Sequence, residues 1–152
     1  MKYQIDQSGK IEQTNKITVI AFSNHKSGSI SLASKDKKIL QEIYRNANKP
    51  KMFAIQVFAT LVFLLIRKYK LDSQTITIDK EYPGYENLIK SYIFQLIRKS
   101  IITNSNNLVI SFQTIGKSSG AHEVANKCFK KGKTDFKTDY KEVLGLILVY
   151  EK

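Results

Sequence analysis

Hydrophobic and polar positions alternate in short segments along the first third of the chain. These segments are rich in β-branched and aromatic residues and are separated by turn-forming residues, which is typical of strands. The predicted strand segments are 2–6, 11–14, 16–22 and 29–33. Turns at 7–10 and 24–28 lie between them, and Asn15 is a kink. The pattern predicts an antiparallel meander of three strands.

The spacing then changes to that of helices. A first helix is predicted from Ser34, as N-cap, to Arg45, with the charge of Asp36 favourable in its first turn. Pro50 is suited to the start of a second helix, predicted over 50–69. That helix is apolar on most sides, which favours a position packed between a sheet and other elements.

The rest of the chain alternates strands with helices. Strands are predicted at 74–78, immediately before Asp79, and at 108–115, and helices at 86–99 and 121–129. The segment 141–150 is uniformly apolar around Gly145 and fits either a helix or a strand. This order predicts one α/β domain over 1–152, with a mixed sheet, helices on its faces and parallel pairing in the alternating part.

The charge balance points to a polyanionic partner. The 152 residues include 25 Lys and Arg against 13 Asp and Glu, a net charge of +12 at pH 7. Such a surface attracts nucleic acid, DNA or RNA, which we expect to be the partner. The alternative is a compositional bias toward Lys, Ile and Asn, which adds lysines without selecting any partner. The sequence does not indicate an oligomeric state.

The cysteine content and the apolar segments bear on location. Cys128 is the single cysteine, and the first residues lack the apolar core of a signal peptide, so we expect a cytoplasmic protein. The apolar run 52–66 is shorter than the roughly 20 residues of a membrane span and contains Gln56 and Thr60. We therefore predict a buried helix and no membrane partner.

Two acidic residues follow predicted strands and are the first candidates for chemistry. Asp6 ends the first strand and Asp79 ends the fourth, and strand ends are where α/β sheets place their sites. If these strands are neighbours, the repulsion between the two carboxylates favours Mg²⁺ or Mn²⁺, and two such ions about 4 Å apart suit phosphodiester cleavage. Glu81 is a further candidate ligand. The alternative is that Asp6 and Asp79 are ordinary turn residues.

The junction 115–123 offers groups for an anion. Lys117, Ser118 and Ser119 precede a predicted helix, whose free N–H groups and nearby lysine favour phosphate. Gly-Lys-Ser resembles part of a nucleotide-binding P-loop, but position 111 is Ser where that motif needs Gly. His122 and Glu123 lie in the first helical turn, where either could face the two aspartates.

Basic residues lie near the end of this predicted helix and in the lysine-rich loop that is expected to follow it. Lys127, Lys130 and Lys131 are candidate substrate contacts, and Phe129 lies among them as a stacking surface for bases. The alternative is a solvated lysine face with the aromatic ring packed inward.

The element order and the acids together resemble the ribonuclease H-like superfamily of nucleases, integrases and resolvases. Asp6 matches its first-strand acid, Asp79 its fourth-strand acid, and His122 or Glu123 its acid near the last helix. The resemblance covers roughly residues 1–130. It implies a metal-dependent nuclease in which Asp6 and Asp79 hold the metal.

The chain also departs from this pattern. Many members carry a Glu on the first long helix, whereas 52–66 contains no acid, Glu42 on the preceding helix is a poor substitute, and one helix is additional. A non-catalytic nucleic-acid-binding module of the same fold is therefore the alternative. A third hypothesis is a partner-binding or membrane-associated protein that uses the helix at 52–66.

Overall fold

The computed structural model describes residues 2–71, 74–100, 107–116 and 119–151. Its strands are β1 (Lys2–Ser8), β2 (Thr18–Ser23), β3 (Ser27–Leu32), β4 (Thr75–Asp79), β5 (Val109–Gln113) and β6 (Phe136–Thr138). Its helices are α1 (Ser34–Asn46), α2 (Phe53–Tyr69), α3 (Glu86–Lys99), α4 (Gly120–Lys131) and α5 (Tyr140–Ile147), with 3-10 turns at Pro50–Met52 and Leu148–Glu151.

The strands form one mixed sheet in the order β5-β4-β1-β2-β3-β6. Strands β1, β2 and β3 are an antiparallel meander, and β4 and β5 continue the sheet in parallel from β1. The predicted α/β class, the meander and the parallel pairing are confirmed. Strand β6 pairs in parallel with β3 and closes the other edge of the described sheet.

Helix α2 covers one face of the sheet. It is buried at Phe53 and at every position from 55 to 66, where it packs with the inward residues of the strands and with α3 and α5. Helix α4 covers the opposite face, crossing β1, β2 and β3. The segment Pro50–Tyr69 is long and apolar enough to cross a membrane, but 72% of its most apolar window is buried inside this fold. It is the core helix that the sequence predicted.

Several predicted elements were wrong. Residues 11–14 form turns and not a strand, and the lysine-rich segment expected to be a loop contains β6. Ala33, not Ser34, occupies the N-cap of α1, because the Ser34 hydroxyl donates to the carbonyl of Thr14. The segment left open between helix and strand is α5, whose N-cap Asp139 accepts the N–H of Glu142.

A buried lysine holds the connection between β1 and β2. Lys37 of α1 is fully buried, and its Nζ donates to the carbonyls of Lys10 and Gln13 at 3.1 and 2.8 Å and to Thr18 Oγ1 at 2.9 Å. Burial lowers the pKa of Lys37 to about 8. The three acceptors replace part of the water that the ammonium loses on burial, and through them Lys37 links this connection to α1.

Replacing Lys37 with Met should lower the free energy of unfolding by about 2 kcal/mol at pH 7, because three acceptors lose their donor. The folded-state pKa of Lys37 lies below that of the unfolded chain, so the unfolded chain binds more protons between about pH 8 and 10 and wild-type stability rises there. The advantage of wild type over Lys37→Met should therefore grow from pH 8 to 9.5 in urea unfolding. Lys38→Met, at an exposed neighbour, is the control. A difference that is constant with pH would contradict the burial of a titrating ammonium.

Candidate metal centre

Asp6 is a buried acid on the α4 face of the sheet. Its neighbours Tyr3 and Ile5 enter the core beside α2, so the alternation of β1 turns Asp6 the other way. Asp6 is only 3% exposed, and its Oδ1 accepts the N–H of Gln7 at 2.8 Å. The strand continues to Ser8, so the expectation that Asp6 ends β1, and the alternative that it is a turn residue, are both wrong.

Asp79 lies beside Asp6 on the neighbouring strand. Strands β1 and β4 pair in parallel with Ile5 opposite Ile78. Asp6 and Asp79, the next residue on each strand, therefore lie side by side on the α4 face of the sheet. Asp79 is the last residue of β4, as predicted, and its Oδ1 accepts the N–H of Ile115 at 2.7 Å. That bond fixes the carboxylate against the segment that follows β5.

Glu81 completes a cluster of three carboxyl groups. One oxygen from each of Asp6, Asp79 and Glu81 can be chosen so that all three lie within 4.8 Å of one another. Glu81 follows β4, and its N–H donates to the carbonyl of Asp79 in a tight turn. This turn brings the Glu81 carboxyl to the two aspartates. Three hard oxygen donors at this separation suit a divalent cation such as Mg²⁺ or Mn²⁺.

The electrostatics of the cluster follow from burial. Burial, together with hydrogen bonds to Asp79 and Asp6 and their negative charge, raises the pKa of Glu81 to about 8. Burial also raises the pKa of Asp6, although the Gln7 N–H and His122 act in the opposite direction. Without a cation, the site therefore relieves its repulsion by keeping a proton on Glu81 at neutral pH.

His122 is the fourth member of the site. Its Nδ1 lies 2.8 Å from Asp6 Oδ2, and its side chain is 34% exposed. Because an ionised carboxylate only accepts, Nδ1 carries the proton in this contact. The N-cap Ser119 accepts the N–H of His122 at 3.1 Å, which starts α4 at the cluster. The positive end of the helix dipole thus lies near the buried acids.

The other predicted site residues lie apart from this cluster or outside the described residues. Lys117 and Ser118 lie outside the described residues. Glu123 is exposed in the first turn of α4, and it is His122 that contacts Asp6. The lysines at 127, 130 and 131 are exposed on α4.

Sequence reasoning missed the groups that hold the acids in place. The Gln7 and Ile115 N–H groups are backbone donors, which no residue type reveals. The segment after Glu81 is held by Tyr82, whose hydroxyl lies 3.4 Å from Gln7 Oε1 and from Glu12 Oε1 and whose ring packs against Phe58.

Comparison with known proteins gave no relative: no protein-family model, curated protein or solved structure matches this chain. The fold and the acidic cluster therefore define the class of the protein: a mixed-sheet α/β domain with three clustered carboxyl groups and a histidine on one face.

Mg²⁺ or Mn²⁺ should stabilise the wild-type protein against thermal unfolding, by about 2.7 kcal/mol at a metal concentration 100 times the Kd. Asp79→Asn keeps the acceptor for the Ile115 N–H but removes a charge. This variant should lose the metal response and, without metal, be at least as stable as wild type, because like-charge repulsion falls. Glu42→Gln, at an exposed acid of α1, is the control and should respond as wild type does. An equal metal response in Asp79→Asn would contradict the centre.

Proposed function

We propose that this protein is a metal-dependent nucleic-acid phosphodiesterase, a nuclease of the ribonuclease H-like superfamily. The observation that carries the proposal is the placement of Asp6 and Asp79 side by side on the parallel strands β1 and β4, with Glu81 beside them. The sheet order β5-β4-β1-β2-β3, antiparallel in the meander and parallel beyond it, supports the superfamily. His122 supports it as the residue from the last helix of the pattern.

Each side chain of the site has a separate part in this proposal. Asp6, Asp79 and Glu81 would hold Mg²⁺ or Mn²⁺, which when bound supplies Lewis-acid stabilisation of the phosphate and an activated water. His122 keeps the buried Asp6 carboxylate in one orientation through its Nδ1–H, as outer hydrogen-bond partners of metal ligands do. The Ile115 N–H does the same for Asp79.

The substrate side of the proposal rests on charge. Lys127, Lys130 and Lys131 are exposed on α4, the helix whose first turn carries His122. Their ammonium groups would attract the phosphates of DNA or RNA toward the acids, and Lys117 and Ser118 precede the same helix. The expected steering depends on the net charge of +12.

We further propose that the protein is cytoplasmic and does not associate with a membrane. Cys128 is a free, half-buried thiol on α4, which suits a reducing compartment. The apolar surface of α2 is already used against the sheet, α3 and α5.

Nucleic-acid binding without cleavage is the second candidate function. The observation that favours it is the exposed lysine stripe of α4, which attracts phosphates whether or not the acids hold a metal. Cleavage and binding therefore need to be measured on the same variants.

At least one of labelled single-stranded DNA, double-stranded DNA, RNA and hybrid should be cleaved with Mn²⁺ and left intact with EDTA, and the cleaved form identifies the substrate. Asp6→Asn and Asp79→Asn should reduce cleavage to the background while keeping salt-sensitive binding, because they remove metal ligands and leave the lysines unchanged. Glu42→Gln should cleave as wild type does. Binding that survives without any metal-dependent cleavage would replace the nuclease proposal with the binding module.

Substituting His122 tests its positioning role. His122→Ala should lower cleavage by about 10- to 100-fold, the usual loss when an outer partner of a metal ligand is removed. The Mn²⁺ concentration needed for half-maximal cleavage should rise as well, a readout that a merely structural change would leave alone. Glu123→Gln, at the exposed neighbour, should retain wild-type cleavage. The opposite ranking of the two variants would identify Glu123 as the residue that completes the site.

A further inference from the structure

A cavity opens on the same face of the sheet as the acidic cluster. It has a volume of about 340 Å³ and is bordered by Ser31, the first turn of α1 at Lys35 and Asp36, Gly132 after α4, and Lys137 of β6. Ser31 and Lys137 are register partners on β3 and β6, so their side chains share one face of the sheet. Ser29, two residues earlier on β3, contacts Cys128 of α4, which identifies this as the α4 face.

The charge of the cavity is positive. Lys35 and Lys137 border it and are both exposed, and the exposed Lys131 and Lys133 flank Gly132. Asp36 opposes them, but it is buried and its Oδ1 accepts the N–H of Tyr140 at 3.2 Å. The lysines outnumber this carboxylate, so the cavity favours an anion.

Helix α4 links the cavity to the acidic cluster. Its 12 residues span about 18 Å at 1.5 Å per residue. His122 in its first turn contacts Asp6, and Gly132, which caps its other end, borders the cavity. Lys127 and Lys130 are exposed between the two. One face of the molecule thus carries the acids, a basic helix surface and a basic cavity in sequence.

We propose that this cavity is a phosphate subsite, in which Lys35 and Lys137 hold a backbone phosphodiester of the nucleic-acid strand whose reacting phosphate lies at the acidic cluster. The subsite rests on the proposed function and adds a fixed position along the substrate. At about 3.4 Å of rise per nucleotide along a B-form strand, 18 Å corresponds to about five nucleotides. The contact is to the backbone, so it is independent of base sequence.

The test is binding measured by fluorescence anisotropy in EDTA, between 50 and 200 mM KCl, with a labelled 16-base-pair DNA duplex and the corresponding single strands of DNA and RNA. The proteins are wild type, Lys35→Gln/Lys137→Gln, and the matched control Lys51→Gln/Lys99→Gln. The control also loses two positive charges, but at exposed positions on the turn before α2 and on α3. These positions lie on the side of the sheet opposite to α4. Thermal melts establish that each variant is folded, and the single variants Lys35→Gln and Lys137→Gln replace the double variant if it is not.

Loss of two phosphate contacts should reduce the slope of log K against log salt by about 1.8 for the duplex, or about 1.4 for a single strand. For the duplex, the ratio of the wild-type affinity to that of Lys35→Gln/Lys137→Gln should therefore change by about tenfold between 50 and 200 mM KCl. A single variant should show half of the slope change. The control should keep a slope closer to that of wild type.

Oligonucleotide length gives a second readout. A trinucleotide is too short to reach both sites, so wild type should gain affinity when the strand is lengthened from three to eight or more nucleotides, and this gain should be smaller in Lys35→Gln/Lys137→Gln. Equal slopes in the cavity variant and the control would overturn the subsite and leave metal-dependent cleavage untouched. Loss of cleavage in every protein, with the slope difference intact, would overturn the nuclease and keep the subsite. A wild type that binds no nucleic acid in EDTA would overturn the subsite.

Discussion

The burial of α2 is the constraint on which the rest of the structure depends. A helix that is apolar around most of its circumference needs partners on every side, and it finds them in one face of the sheet and in α3 and α5. That arrangement places the apolar side chains Ile5 of β1 and Ile78 of β4 on the face that packs against α2. Because side chains alternate along a strand, the positions next to them face α4, and these include Asp6 and Asp79. The polar site is thus a consequence of how the core is made.

Much of this arrangement could be predicted from the sequence, and the failures have physical causes. Periodicity located α2, and the alternation of strands and helices predicted parallel pairing in the later part of the sheet. The prediction that Asp6 and Asp79 meet depended on β4 lying beside β1, which the structure shows. Strand β6 was missed because three residues in a lysine-rich segment carry no periodic signal, and only pairing with β3 makes them a strand. Residues 11–14 were wrongly predicted as a strand because the burial of Ile11 reflects a loop fastened by Lys37. For α5, the Asp139 and Glu142 spacing was a usable capping signal that the apolar run obscured.

Part of the site was beyond sequence reasoning. The residue types of Asp6, Asp79 and His122 could be selected as candidates, but nothing in the sequence separates His122 from Glu123, since both lie in one helical turn. The packing of α4 on the sheet distinguishes the two residues, because it places Nδ1 of His122 against Asp6 and leaves Glu123 exposed. Whether the Glu81 carboxyl reaches the two aspartates depended on the path of the chain after β4. The chain turns there, with the Glu81 N–H donating to the Asp79 carbonyl, and this turn brings the carboxyl to them.

The carboxyl groups of Asp6, Asp79 and Glu81 have different hydrogen-bond partners, so they differ in how firmly they are oriented. Asp6 is buried between the Gln7 N–H and His122, and Asp79 is fixed by the Ile115 N–H, so both carboxylates have directed donors. Glu81 has no comparable backbone donor among the described contacts, and burial together with the neighbouring aspartates raises its pKa to about 8, which favours a proton on this cluster at neutral pH. A divalent cation would replace that proton and convert the weakest contact of the cluster into a ligand. The two aspartates are thus oriented by fixed donors, and Glu81 is the acid whose protonation would depend on whether a cation is bound.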